Sequence, residues 1–163
     1  MFENLHREVF DRLGGSGELD WSAAILDAAS VRAKRGSLTG PSPVDRGKNR
    51  SKIHVLSEAG GIPLVVGVSA ANTHDSTMLR PMLEAIPAVR SRRGPRRRKP
   101  GRLRADKGYD SAAHLCWLRE RRIVPRIARH GIDRNDRLGR HRWKIALTTR
   151  GCRHLLDEKA ALG

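Results

Sequence analysis

A chain of 163 residues is long enough for one domain with a buried core and short for two. Its 33 Lys and Arg against 17 Asp and Glu leave a formal charge of +16, which favours a polyanionic partner, nucleic acid foremost, through phosphate neutralisation and counterion release. No apolar run nears the roughly 20 residues of a membrane span, so no membrane partner is expected. Residues 1–13 lack a signal-peptide pattern, and Cys116 and Cys152 support neither a zinc site nor a disulfide framework, so a cytosolic setting is expected.

Phe2, Leu5, Val9, Phe10 and Leu13 recur at helical spacing, and Gly14-Gly15-Ser16-Gly17 is expected to stop that helix. Trp21 to Ser30 reads as a small, apolar strand carrying one acid, Asp27. A carboxylate inside such a strand is expensive without a partner. Either the strand ends at Leu26 with Asp27 in a solvated turn, or Asp27 is a functional acid, and the segment alone leaves both open. Residues 31–49, with Arg32, Lys34, Arg35, Arg46 and Lys48, read as an irregular basic loop of a length uncommon without a role.

Residues 51–57 and 62–70 predict two strands joined as a hairpin through Glu58-Ala59-Gly60-Gly61. Val65, Val66 and Val68 lack a clean alternation, which predicts a second strand covered on both faces. Leu79, Met82, Leu83 and Ile86 mark one face of a helix, with Asp75 or Ser76 as its N-cap. Pro81 implies a start a residue or two later than the pattern alone suggests, or a bend. His74 is read as a turn or capping residue rather than a metal ligand.

Arg90, Arg92, Arg93, Arg96, Arg97, Arg98, Lys99, Arg102 and Arg104 then crowd together, with Gly94, Pro95, Pro100 and Gly101 among them, so no regular structure is expected there without a ligand. A short strand with Leu103 and Ala105 delivers Asp106 at its end. That acid is either a strand-end carboxylate in a turn, with Asp110 or Ser111 capping the next helix, or part of a site where phosphate backbone meets acid-held metal. Ala112, Leu115, Cys116 and Leu118 predict a short helix, and residues 122–128 a strand pushed to an edge by Pro125. Strands alternating with helices imply an α/β sheet with its acids at strand ends, where such folds bind ligands. A second basic segment ends at Trp143, and residues 144–163 show no clear periodicity.

ILDAASVRAKRG, TGPSPVDRGKNRSKIHVL, VSAANTHDS, RADKGYDS, RIVPRIARHGI and RLGRHRW, in that order, resemble the catalytic region of bacterial insertion-sequence transposases of the DDE class, specifically the insertion-sequence-five-like group. The resemblance implies a ribonuclease-H-like domain over residues 19–143, preceded by a remnant of an N-terminal helical region and linker in 1–18. A divergent tail, 144–163, leaves the fold incomplete at the C-terminus. It implies Asp27 and Asp106 as catalytic, metal-holding acids, with Mg2+ or Mn2+ directing water or a DNA 3′ hydroxyl at a phosphodiester. The partners implied are DNA, at the element's ends and its target, and either further copies of the chain on DNA or a separate N-terminal product. Such a protein is expected in the cytoplasm, on the nucleoid when bound. Arg32, Lys34, Arg35, Lys48, Arg92, Arg93, Arg96, Arg97, Arg98, Lys99, Lys107, Arg140 and Arg142 are the expected DNA contacts. The family's third acid, a glutamate a few residues after H-R-W, falls here on Ala146, and the next acids are Asp157 and Glu158. A frameshift or deletion would leave that pattern, so catalysis is expected to be impaired or absent. The alternative is a basic fragment that grips DNA without cutting it. A basic RNA-binding protein is disfavoured by two Phe, one Tyr and three Trp, most at positions assigned to packing.

Overall fold

Strand sequences with one apolar face need a cover, and the covering helices here come from three separate places in the chain. The computed structural model describes residues 2–33 and 36–129. Along them run α1 (Phe2–Ser16), β1 (Ala24–Arg32), β2 (Gly40–Pro41), β3 (Asn49–Glu58), β4 (Pro63–Ala70), α2 (Leu79–Glu84), β5 (Arg102–Ala105), α3 (Ala112–Glu120) and β6 (Val124–Ile127). Two 3-10 turns, Asp75–Met78 and Lys107–Tyr109, precede α2 and α3.

The strands form one mixed sheet. β3 pairs antiparallel with β1 on one side and with β2 and β4 on the other, while β5 lies parallel to β1 and β6 parallel to β5. Alternation along β1 sends Ala24 and Leu26 to the face that also carries Leu56, Leu103 and Ala105. These residues join Phe10 of α1, Leu79, Met82 and Leu83 of α2, and Trp117 and Leu118 of α3 in one buried cluster. Deleting a wholly buried leucine there, such as Leu26 or Leu103, should cost about 2–5 kcal/mol.

The hairpin, the edge position of β6 and the shifted start of α2 agree with the sequence reading. In α2, Pro81 is the third residue, inside the first turn where a missing N–H is tolerated. The structure refines the remaining readings. The expected segment Gly14-Gly15-Ser16-Gly17 does end α1, but the helix runs on through Gly14 and Gly15 first. A side chain on Gly14 would collide with the Arg90 carbonyl oxygen, so this glycine permits a close approach, and it is Gly17, at φ +85°, that ends the helix.

β1 likewise continues past Asp27 to Arg32, because Ala29, Ser30 and Val31 keep their partners on β3. The strand β4 is not covered on both faces: Val66 and Val68 are 59% and 43% exposed on the face away from α2. His74 is the capping residue its reading expected, accepting the Ser76 amide through its ring nitrogen at the turn Asp75–Met78; neither Asp75 nor Ser76 caps α2, and Asp75 pairs with Lys52 instead. In α3, Cys116 is exposed, and Trp117 and Leu118 make the core contact.

Candidate active site

β1 and β5 pair at Ala24 with Leu103 and at Ile25 with Arg104, and the ladder stops there. The same offset carried two residues on would bring Asp27 level with Asp106, just past the end of β5, and the Asp106 charge does reach the Asp27 carboxyl. Neighbouring positions on parallel strands send their side chains to the same face, and strand carboxyl ends in an open α/β sheet border the crevice where ligands bind. Asp27 is partly buried and Asp106 exposed. Each carboxylate is fixed from its own backbone: Asp27 accepts the Ala28 amide at 2.9 Å, and Asp106, capping the turn after β5, accepts the Gly108 amide at 3.0 Å.

A half-buried acid near another negative charge resists ionisation. Burial first, then the charges of Asp106 and Asp75, hold the Asp27 carboxyl above the usual carboxylate range, against the Ala28 hydrogen bond that lowers it. Asp75 is thus a third carboxylate within electrostatic reach. It stands at the start of the turn after β4, and its Oδ1 accepts from Lys52 Nζ at 2.8 Å; the same ammonium donates to the Thr73 carbonyl at 2.8 Å.

Beside the acids, Tyr109 is 2% exposed and its hydroxyl finds no hydrogen-bond partner among the described residues. Burial, then the charges of Asp75, Asp106 and Asp27, push this phenol well above its ordinary range. His54, wholly buried, shares a 2.8 Å hydrogen bond with Ser69, and burial lowers its basicity although Asp75 opposes that.

Two carboxylates with free oxygens suit a hard cation such as Mg2+ or Mn2+, which takes one or two protein carboxylates and completes its shell with water and phosphate oxygens. The buried hydroxyl of Tyr109 is an orphan of the kind an ion or its water would satisfy. The donor set therefore fits. Among the described residues, no three His, Cys, Asp or Glu side chains converge on a common point.

The basic residues divide between two ends of the sheet. Lys107 follows Asp106 and accompanies the acids, whereas Arg32 and Lys48 lie near Asp45 at the end of β1 and the start of β3, five residues or about 16 Å from Asp27 along the strand. The arginine-rich stretch enters β5 from its other end, where Gly101 bonds to the Trp21 carbonyl at 2.9 Å. Six residues of roughly 3.3 Å each put Pro100 about 20 Å from Asp106 along the strand. Arg92, Arg93, Arg96, Arg97, Arg98 and Lys99 therefore do not wall the acid pair. Two of them have structural tasks: Arg96 is bidentate on Asp11, and Lys99 donates to the Arg121 carbonyl at 3.1 Å. Lys34, Arg35, Arg140, Arg142 and Ala146 lie outside the described residues.

Asp75, Lys52 and Tyr109 escape the sequence reading as site residues. Asp75 follows a strand just as Asp106 does, which is the signal that could have found it, but its place before a helical pattern makes capping the simpler interpretation.

A family model described as the transposase DDE domain matches residues 20–152, a span that includes both Asp27 and Asp106. Over 110 residues the chain is 41% identical to a protein of Burkholderia cepacia assigned as a transposase for the insertion sequence element IS402. That alignment covers 68% of this chain and 52% of the relative, so the chain spans about half the length of that protein. The mixed sheet, with β1 central between antiparallel β3 and parallel β5, is the ribonuclease-H-like arrangement such a domain requires. On the match over most of its length, this chain belongs to the transposase DDE-domain family.

Proposed function

We propose that the chain is the catalytic region of an insertion-sequence transposase, of the insertion-sequence-five-like group, that acts on DNA phosphodiesters with Mg2+ or Mn2+ held between Asp27 and Asp106. The observation that carries the reading is the β1–β5 register, which makes neighbours of two acids 79 positions apart in the sequence. A divalent cation bound there supplies Lewis-acid stabilisation of charge on a phosphate oxygen and a water of lowered pKa. The protein's share is positioning. The Ala28 and Gly108 amides hold one oxygen of each carboxylate and leave the others free. Lys107 neutralises DNA phosphate beside the acids, and Arg32 and Lys48 do so about 16 Å further along β1.

Strand cleavage and joining are impaired in this chain, since the family's third acid corresponds to Ala146. Losing even an outer partner of a metal site costs about 10- to 100-fold, and losing a direct ligand costs more. The test is cleavage and strand transfer on duplexes carrying the element's terminal repeats, with Mg2+ or Mn2+. Trace activity at most is expected. Robust activity abolished by Asp106→Asn would refute the impairment while upholding the two-acid site, and robust activity indifferent to both Asp27→Asn and Asp106→Asn would refute the site itself.

The second reading, a fragment that grips DNA without cutting it, draws on the separation between the arginine-rich stretch and the acids. Duplex binding that persists in the doubly substituted Asp27→Asn, Asp106→Asn chain would favour it.

A further inference from the structure

The ten residues from Arg90 to Lys99 include seven basic side chains and no acid. A run so charged should repel itself into an open, mobile segment. Instead it is folded. Val89 and Arg97 exchange both backbone hydrogen bonds at 2.8 Å, closing the stretch into a loop. Asp11 of α1 then gathers it in: one carboxylate oxygen accepts the Arg90 amide and Arg96 Nη1, the other accepts Arg96 Nη2, all at 2.8 Å. Arg96 Nη1 also donates to the Ala88 carbonyl at 2.7 Å. On the far side, Gly14 lets α1 approach the Arg90 carbonyl more closely than any side chain would permit.

The outcome is a closed loop in which Asp11 is the one acid that takes its arginines among the described residues. The side chains of Arg92, Arg93, Arg97 and Arg98 are exposed and take no ion pair or hydrogen bond among the described residues. A groove of about 640 Å³ runs between α1 and the loop, lined by Glu8, Asp11, Arg12, Arg90, Arg92 and Arg96 among others. A second, of about 440 Å³, continues past Arg92, Arg93 and Arg97 to Trp21.

We propose that α1 and the arginine loop form a clamp for the phosphate backbone of duplex DNA, set apart from the acid pair by the length of β5, and that Asp11 is its positioning residue. This deepens the transposase reading and rests on it for the choice of DNA as partner. About 20 Å along B-DNA is roughly six base pairs, so the clamp engages duplex beyond the phosphate that the acids address. Guanidinium groups held in advance lose less freedom on meeting phosphates than groups on an open chain, and Asp11 provides that advance ordering.

The sign of one substitution separates this from plain electrostatics. Removing a negative charge beside a DNA-binding surface should tighten binding. If Asp11 sets the clamp, Asp11→Ala weakens it.

The experiment is fluorescence anisotropy of the full chain with a 20-base-pair duplex of arbitrary sequence over a salt series. Asp11→Ala is expected to weaken binding several-fold and to speed tryptic cleavage at Arg92 and Arg93, with far-UV circular dichroism unchanged. Arg96→Lys, which keeps the charge but not the two-pronged grip, should repeat the loss. Replacing Arg92, Arg93 and Arg98 together by Ala should lower the slope of log K against log salt by about 3, at roughly 0.9 per phosphate contact.

Binding by Asp11→Ala as tight as the unaltered chain, or tighter, overturns the positioning role. Should that variant fail to fold, Arg96→Lys decides: weaker binding supports the role and unchanged binding overturns it. An unchanged salt slope in the triple variant overturns the clamp. The failure of the parent reading looks different: divalent-cation binding and cleavage would then be indifferent to Asp27→Asn and Asp106→Asn, which leaves the duplex-binding comparison of Asp11→Ala with the unaltered chain untouched.

Discussion

Replacing Asp27 by Asn should make the metal-free protein more stable and its response to divalent cations weaker. Adjacent strands lie roughly 4.8 Å apart, so extending the β1–β5 offset to Asp27 and to Asp106, just past the end of β5, puts the two carboxylates about 5 Å from each other. At that separation like charges repel by about 1 kcal/mol in a water-like dielectric and about 3 kcal/mol at an effective dielectric of 20. Because Asp106 is exposed, the smaller figure applies. Asparagine keeps the Ala28 hydrogen bond and the shape, and removes both the repulsion and the cost of burying charge.

The expected gain is therefore about 1 kcal/mol near neutral pH, or about 2–4 °C in Tm for a chain of this size. The pH dependence follows from the upward shift of the Asp27 carboxyl. Below the ordinary carboxylate range Asp27 is protonated in folded and unfolded chains alike, and the variant holds no advantage from ionisation. As pH rises through that range the unfolded chain ionises first, the folded chain loses stability relative to it, and the loss is complete above the raised folded value. Thermal unfolding in EDTA at several pH values, then with Mn2+ added, measures both effects. Mn2+ should raise the Tm of the unaltered chain and leave the variant nearly unmoved. An Asp27→Asn chain less stable than its parent in EDTA, or equally stabilised by Mn2+, would refute the paired-acid site.

Tyr109 is the sole tyrosine, so its titration can be followed directly at 295 nm; in the folded chain no ionisation should be seen near pH 10, where an exposed phenol titrates, and a normal transition there would place the ring in solvent. Tyr109→Phe removes an unpaired buried hydroxyl and should match or exceed the parent's stability by up to about 1 kcal/mol in urea unfolding, with a marked loss counting against the orphan hydroxyl. Glu58→Ala should cost about 2–4 kcal/mol, measured the same way, because the Asp20 and Ile62 amides it accepts at 2.8 Å would lose their partner in a buried site. His54→Leu should flatten the acid limb of the stability curve: burial holds His54 neutral, so as pH falls through the usual histidine range the unfolded chain takes up a proton that the folded chain resists.

Much of this arrangement is readable from local signals. The hairpin follows from two β-rich runs around Glu58 to Gly61, and the edge position of β6 from Pro125, which cannot donate to a ladder. Asp106 announces itself because a short apolar alternation ends on it. Asp27 is harder to place. Its strand continues only because β3 offers partners as far as Arg50, a long-range fact no window around Asp27 contains.

The position of the arginine-rich stretch is misleading for a similar reason. Adjacency in sequence to Asp106 suggests adjacency in space, yet an intervening strand carries the chain from one end of the sheet to the other. Nor does helical spacing reveal the bond between Asp11 and Arg96, 85 residues apart. The exposed face of β4 is missed because three valines in four positions hide an alternation that becomes visible only once α2 is seen to lie on the opposite side.

The shortness of β5 makes the acid pair tolerant of some length changes and defenceless against others. Residues gained or lost between Val89 and Gly101 disturb the arginine loop yet leave the matching of Asp27 to Asp106 intact. One residue gained or lost between Arg102 and Ala105 turns every later side chain of that strand over, so either Leu103 and Ala105 leave the interior or Asp106 leaves its partner. In any set of drifting copies of this chain, length changes should therefore be absent from those four positions wherever cation binding survives, whatever has happened to the arginine loop.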